Sequence, residues 1–216
     1  MSEDLFSSII HQLSEIEYHH TVCFNLNNEP LLDKRITEFI QNARKKLPKA
    51  FFMMYSNGSL FSEKHLEGIL PSINRLHIDN YHNDRIFTEP VKKILSFIEK
   101  NPEFSEKLEI NIVRKDAIRT TRAGLAANRS RVYFLRSPCI YPFSQINIRP
   151  DGKVSLCCND ALGKYTLGDL KENTLLEIWE GKRYLDIRNR MLKGRHCLPM
   201  CKQCDVFLLF PKILYS

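Results

Sequence analysis

Long apolar runs are missing from this chain of 216 residues. The two longest, Ala50 to Tyr55 and Val206 to Phe210, stop at six and five residues, far short of the ~20 an α-helix needs to cross a bilayer. A secretory signal is missing too: Met1-Ser2-Glu3-Asp4 is acidic where a signal peptide carries positive charge ahead of a long apolar stretch. There is no internal repeat and no low-complexity segment. With 43% hydrophobic and 26% charged residues, the composition excludes wholesale disorder and collagen-like structure. The expectation is a cytoplasmic globular protein of one or two domains, whose thiols stay reduced. Seven cysteines in such a chain point to metal more than to disulfides.

Cysteine is nearly absent from the first two thirds, where Cys23 stands alone. The other six, Cys139, Cys157, Cys158, Cys197, Cys201 and Cys204, lie in the last 78 residues. Charge is skewed the same way. Between Gly181 and Gln203 seven basic residues (Lys182, Arg183, Arg188, Arg190, Lys193, Arg195 and Lys202) face one acid, Asp186, and supply +6 of the net +7. Three readings fit that stretch: a nucleic-acid patch, a solvated helix face, and cations that compensate thiolates around a metal centre. The solvated face is the usual one, and nucleic acid is not expected as a partner.

The first 115 residues alternate helical and strand periodicity. Ser2 can cap a helix carrying Leu5, Phe6, Ile9, Leu13 and Ile16. A strand follows over Thr21–Leu26. Asp33 opens a second helix with Ile36, Phe39, Ile40, Ala43 and Leu47 on one face, ending in Arg44, Lys45, Lys46 and the blocking Pro48. Ala50–Tyr55 reads as a strand closed by the turn Asn57-Gly58. Helices from Ser62 and from Thr88, and strands at Arg75–Asp79 and Leu108–Val113, complete the pattern. Strands joined by crossover helices, without hairpin turns, predict a parallel α/β sheet. In such folds the loops at the C-terminal strand ends carry function. Here those loops are Asn27-Asn28-Glu29-Pro30, Ser56-Asn57-Gly58 and Asn80-Tyr81-His82. Cys23, between Val22 and Phe24, reads as a packed core thiol, His19-His20 as a loop, and the single tryptophan, Trp179, as core.

Residues 116–138 lose periodicity and read as a connector. Ser144–Arg149, the turn Pro150-Asp151-Gly152 and Lys153–Cys157 form a hairpin that delivers Cys157 and Cys158. Thr174 and Glu177 make a capping box for a helix interrupted at Gly181, and Cys197, Cys201 and Cys204 follow it. Soft thiolate ligation selects zinc or an iron-sulfur centre. A zinc ribbon normally shows two Cys-x2-Cys knuckles; only Cys201 and Cys204 form one. Single ligands spread widely around one knuckle suit an iron-sulfur cluster better, with zinc as the alternative.

Cys139, Gly152 and Cys157 in spacing, then Leu167-Gly168-Asp169, Leu175-Leu176-Glu177-Ile178-Trp179, Arg188 and Cys197-x3-Cys201-x2-Cys204 closely resemble the SPASM domain. That domain is the auxiliary-cluster module at the C-terminal end of many radical S-adenosylmethionine (radical SAM) enzymes, and the match runs from Cys139 to Asp205. The first part resembles the radical SAM barrel. Asn28-Glu29-Pro30 is similar to the family's Gly-Glu-Pro motif, with Asn28 in place of glycine; Tyr55-Ser56-Asn57-Gly58 resembles its Thr-Asn-Gly; and Ile78-Asp79-Asn80-Tyr81 stands where ribose-facing residues are found. The family also carries Cys-x3-Cys-x2-Cys after the first barrel strand, for the 4Fe-4S cluster that cleaves the cofactor. This sequence starts at the helix that should follow, so an incomplete barrel is expected over 1–115 and a SPASM or twitch-like iron-sulfur domain over 139–216. Cys197, Cys201 and Cys204 have the catalytic spacing too, but only twelve residues follow them.

The resemblance implies one auxiliary 4Fe-4S cluster, held as in the single-cluster twitch form by Cys139, Cys157, Cys201 and Cys204, with Cys158 and Cys197 spare. It also implies contact of Asn28, Glu29, Pro30, Ser56, Asn57 and Asp79 with S-adenosylmethionine once the absent segment is supplied. Three functions follow: the C-terminal portion of a radical SAM enzyme acting by hydrogen abstraction on a peptide, sugar or small molecule; a free-standing electron-transfer or partner-binding cluster protein; or a zinc-stapled interaction module. The expected partner is a complete radical SAM enzyme or the missing segment.

Overall fold

The computed structural model describes residues 1–117, 120–125 and 135–206. Much of the connector, and the apolar run beyond Val206, lie outside them. Two compact units emerge: Phe6–Ala117, and the described residues from 120 onward together with Met1–Leu5. Among the described residues no helix is long and apolar enough to cross a membrane.

The first unit is the expected α/β layer. Strands β1 (Thr21–Cys23), β2 (Phe51–Ser56), β3 (Arg75–Tyr81) and β4 (Leu108–Val113) form one sheet in sequential order. All three pairings are parallel, with Thr21 beside Phe51, Met54 beside Leu76 and Ile78 beside Ile110. The crossovers are α2 (Ile36–Lys46), α3 (Glu63–Ile69) and α4 (Glu89–Lys100), with α1 (Glu3–Glu15) ahead of β1.

One side of the sheet is dry. Ile40, Phe52, Met54, Ile69, Leu70, Leu76, Ile78 and Val91 are buried there, and fully burying such side chains stabilises the fold by about 1.5–3 kcal/mol each before chain entropy is counted. The other side is polar and more open: Tyr55 stacks on His77 with ring centroids 4.4 Å apart, and His77 Nδ1 lies 3.2 Å from Glu109 Oε2. Cys23 is exposed, its thiol donating to Asn25 Oδ1 at 3.2 Å. The core-thiol expectation therefore fails, because the strand's alternation turns Cys23 away from the dry side. The strand expected over Thr21–Leu26 ends at Cys23, since Asn25 Oδ1 takes the Tyr55 N–H at 2.9 Å in place of continuing the ladder.

The second unit is α+β. β5 (Asn147–Ile148), β6 (Lys153–Ser155) and β7 (Thr166–Asp169) make an antiparallel sheet, turned at Gly152, whose φ of +91° favours glycine. α5 (Tyr141–Ser144), α6 (Leu175–Trp179) and α7 (Lys182–Leu192) complete it. Residues Thr174 and Glu177 form the capping box as read. A Cβ at Gly181 would sit 2.7 Å from the Glu177 carbonyl, so glycine is needed where α6 gives way to α7.

Candidate metal centre

Cys139, Cys157, Cys201 and Cys204 all line one small cavity of the second unit. Each arrives from a different local device. Cys139 precedes α5, whose first turn accepts Pro142 because the missing N–H would be unpaired there. Cys157 leaves the end of β6, and the turn beyond it is tied by the buried Asp160. That carboxylate accepts from the Lys164 and Tyr165 N–H groups at 2.7 and 2.9 Å, while the Asp160 N–H donates to the Cys157 carbonyl. Cys201 opens a turn of 3₁₀ helix, Cys201–Gln203, and Cys204 caps it. Thr121 fastens that end: its N–H donates to Asp205 Oδ1 at 2.8 Å and its hydroxyl to the Gln203 carbonyl at 2.8 Å.

Burial governs the thiols. It pushes Cys157, Cys158 and Cys204 above the ordinary thiol range and Cys201 up to about 12. Neighbouring sulfurs add to the effect: Cys201 feels Cys204 and Cys139, and Cys157 feels Cys158 and Cys201. Four thiolates in one dry cavity repel one another, and a cationic centre placed among them reverses that balance. Among the described residues no three of His, Cys, Asp and Glu converge tightly enough for a single ion. Soft donors arranged around a shared cavity fit an iron-sulfur group.

The profile of SPASM, an iron-sulfur cluster-binding domain, matches residues 139–205. Over 211 residues the chain is 25% identical to the S-adenosyl-L-methionine-dependent 2-deoxy-scyllo-inosamine dehydrogenase of Niallia circulans, covering 95% of this chain and 80% of that one. Residues 139–205 therefore carry a SPASM-type domain, and the chain as a whole is similar to an S-adenosyl-L-methionine-dependent enzyme. Its fold is that of BtrN, solved with AdoMet and 2-DOIA, at a TM-score of 0.81 and 21% identity over 97% of this chain and 82% of BtrN. The anSMEcpe structure with bound AdoMet follows at a TM-score of 0.61 and 13% identity, over 94% of this chain and 78% of that one.

The two remaining thiols of the SPASM domain are placed differently. Cys158 is half-buried and takes a hydrogen bond from the Tyr141 hydroxyl. Cys197 lies 3.4 Å from His196 Nε2, and its carbonyl accepts from Arg190 at 2.7 Å. Neither is among the residues that line the cavity.

In the first unit, three of the residues expected to contact S-adenosylmethionine meet. Glu29 accepts from the Ser56 hydroxyl at 2.8 Å through Oε1 and from the Asn57 N–H at 2.9 Å through Oε2. Pro30 starts a 3₁₀ turn, Pro30–Leu32. Asn28 is spent locally, accepting from the Leu26 N–H at 3.2 Å. Asp79, on β3, accepts from Asn111 Nδ2 at 3.4 Å.

Several site residues escape a sequence reading. Asp160 and Asn80 are buried and polar; Asn80 holds the loop ahead of α4 by accepting from the Thr88 N–H and hydroxyl and donating to the Ile86 carbonyl. Arg195 is the most telling case. In the sequence it is one of the seven basic residues between Gly181 and Gln203, yet it is buried and lines the cysteine cavity. Its position inside the Gly194-to-Cys197 segment is the one local signal.

Proposed function

We propose that Cys139, Cys157, Cys201 and Cys204 hold one auxiliary 4Fe-4S cluster. In this reading the chain is the cluster-bearing C-terminal portion of a radical SAM enzyme that dehydrogenates a hydroxylated small molecule. The observation that carries the reading is the single cavity lined by these four thiols. An all-thiol lining with one Cys-x2-Cys knuckle and two widely spaced single cysteines supports a cluster over zinc.

A bound auxiliary cluster supplies an electron acceptor or an anchor for substrate. The chain's own part is to present four thiolates, to keep water from them through burial, and to fix the loops from which they project. The likeness to a dehydrogenase of a polyhydroxylated ring compound supports a polar, hydroxyl-rich substrate, and the polar face around Tyr55, His77, Asp79 and Glu109 suits one.

Glu29, Ser56, Asn57, Asn28 and Pro30 are assigned to S-adenosylmethionine because they follow or end strands of a parallel sheet, where such folds bind ligands, and Asp79 because it lies in the C-terminal half of β3. The given sequence has no Cys-x3-Cys-x2-Cys ahead of Thr21. The proposed source of the cofactor-cleaving cluster is a Cys-x3-Cys-x2-Cys segment or a complete radical SAM enzyme acting as partner at the β1 edge. An in-frame Cys-x3-Cys-x2-Cys upstream of Met1 supports the first source, and a copurifying complete enzyme the second. A reducing cytoplasm suits the free thiols.

The deciding experiment is anaerobic reconstitution with iron and sulfide, followed by metal and sulfide analysis and electron paramagnetic resonance. About four irons and four labile sulfides per chain are expected. One zinc per chain and no labile sulfide overturns the reading.

A further inference from the structure

Among the basic residues of the C-terminal stretch, Arg195 is set apart by its surroundings. Arg188 lies over the Trp179 ring, 3.9 Å from its centroid, and donates to the Pro142 and Trp179 carbonyls. Arg190 is partly exposed and pairs with Asp186. Arg195, at 1% exposure, is the largest fully buried side chain among the described residues, and it lines the cavity shared by the four cysteines. Its Nε donates to the Ser137 carbonyl at 3.1 Å and its Nη1 to the Val206 carbonyl at 2.7 Å. Those carbonyls belong to residues two before Cys139 and two after Cys204, so one guanidinium ties together the chain on either side of the cavity.

We propose that Arg195 is a positioning residue of the auxiliary centre whose buried charge raises the reduction potential of the cluster. The inference rests on the cluster reading above. Each electron added to a thiolate-bound cluster adds negative charge to a site screened from water. A fixed cation at the wall of that site stabilises the reduced form more than the oxidised one. Burial makes the interaction strong, because neither counter-ions nor bulk water screen it. The two carboxylate oxygens of Asp160 are engaged by backbone N–H groups on the Cys157 side, whereas the Arg195 guanidinium is the cation that bridges the segments carrying Cys139 and Cys204.

The test compares the wild-type chain with Arg195→Lys, which keeps the charge, and Arg195→Gln, which removes it. Each is reconstituted anaerobically, assayed for iron and sulfide, and titrated with dithionite at controlled potential while the reduced cluster is followed by electron paramagnetic resonance. Arg195→Gln at full iron content is expected to move to a more negative potential, by about tenfold in the reduced-to-oxidised ratio at fixed poise, or about 59 mV for one electron. Arg195→Lys is expected to stay closer to wild type. Should Arg195→Gln fail to assemble a cluster while Arg195→Lys succeeds, the charge is needed already at assembly, which also supports the proposal. Unchanged potential in a fully loaded Arg195→Gln overturns it, as does equal failure of both variants to assemble, which reduces Arg195 to a structural tie. A wild-type chain that takes zinc and no sulfide overturns the cluster reading itself, and with it this inference.

Discussion

The Ser56 hydroxyl donates to the Glu29 carboxylate at 2.8 Å, joining the loop after β1 to the end of β2 across 27 residues of sequence. The same carboxylate takes the Asn57 N–H, and Ser56 Oγ in turn accepts the Gly58 N–H at 3.0 Å. Hydrogen bonds to a charged acceptor are stronger than neutral ones. Glu29→Gln, which removes the charge and turns one acceptor into a donor, is expected to cost about 1–3 kcal/mol in urea unfolding. A change within error would show that the loops hold without it.

Arg44 does comparable work at the opposite end of the sheet. Its guanidinium donates to the Ser72 and Ala50 carbonyls at 2.9 Å each and to Asn74 Oδ1 at 2.7 Å, and it lies over the Phe52 ring at 4.0 Å. Arg44→Ala is expected to destabilise by about 2–4 kcal/mol, through orphaned carbonyls as much as through lost contacts. Arg44→Lys is expected to recover only part, since an ammonium cannot reach three acceptors in a planar fork.

A buried phenol gives a change in the other direction. Tyr184 is fully buried, and its hydroxyl has no hydrogen-bond partner among the described residues. Tyr184→Phe in the metal-free protein is expected to be neutral or to stabilise by about 1 kcal/mol, because an unsatisfied buried polar atom is removed. Thermal unfolding checks it, and a clear loss of stability would show that the hydroxyl is bonded.

Accessibility orders the thiols. Cys23 is exposed whereas Cys139, Cys157, Cys201 and Cys204 are buried. Alkylation of the native metal-free protein with iodoacetamide at pH 8, mapped by mass spectrometry, is expected to label Cys23 and spare those four until denaturant is added. Early labelling of Cys201 would contradict the buried cavity.

Periodicity made the first unit readable. The apolar face of α2 and the strand read from the continuous apolar run Ala50–Tyr55 both appear in the structure with ends shifted by up to a few residues. The shifts have local causes: the stretch after Asp33 is first spent on an Asp33–Arg35 ion pair, with Arg35 Nη2 2.8 Å from Asp33 Oδ2, so α2 begins only at Ile36. In the second unit the strand expected over Ser144–Arg149 shrinks to Asn147–Ile148, because Tyr141–Ser144 coils into a helical turn. β7 carries Gly168 in its middle, and a Cβ there would clash with Ile178. A strand built around such a residue shows no alternation to read. The four cysteines that line the cavity are the set that the resemblance to the single-cluster SPASM form implied. Arg195 was not legible, because burial of a cation depends on where distant carbonyls end up.

The central claim is that four particular thiols hold one cluster. It is tested most directly by replacing each of the six C-terminal cysteines singly with serine and counting iron and labile sulfide after anaerobic reconstitution. Loss of most of the iron is expected for Cys139→Ser, Cys157→Ser, Cys201→Ser and Cys204→Ser, and near wild-type iron for Cys158→Ser and Cys197→Ser. Full iron in any of the first four, or its loss in either of the last two, would contradict the assignment.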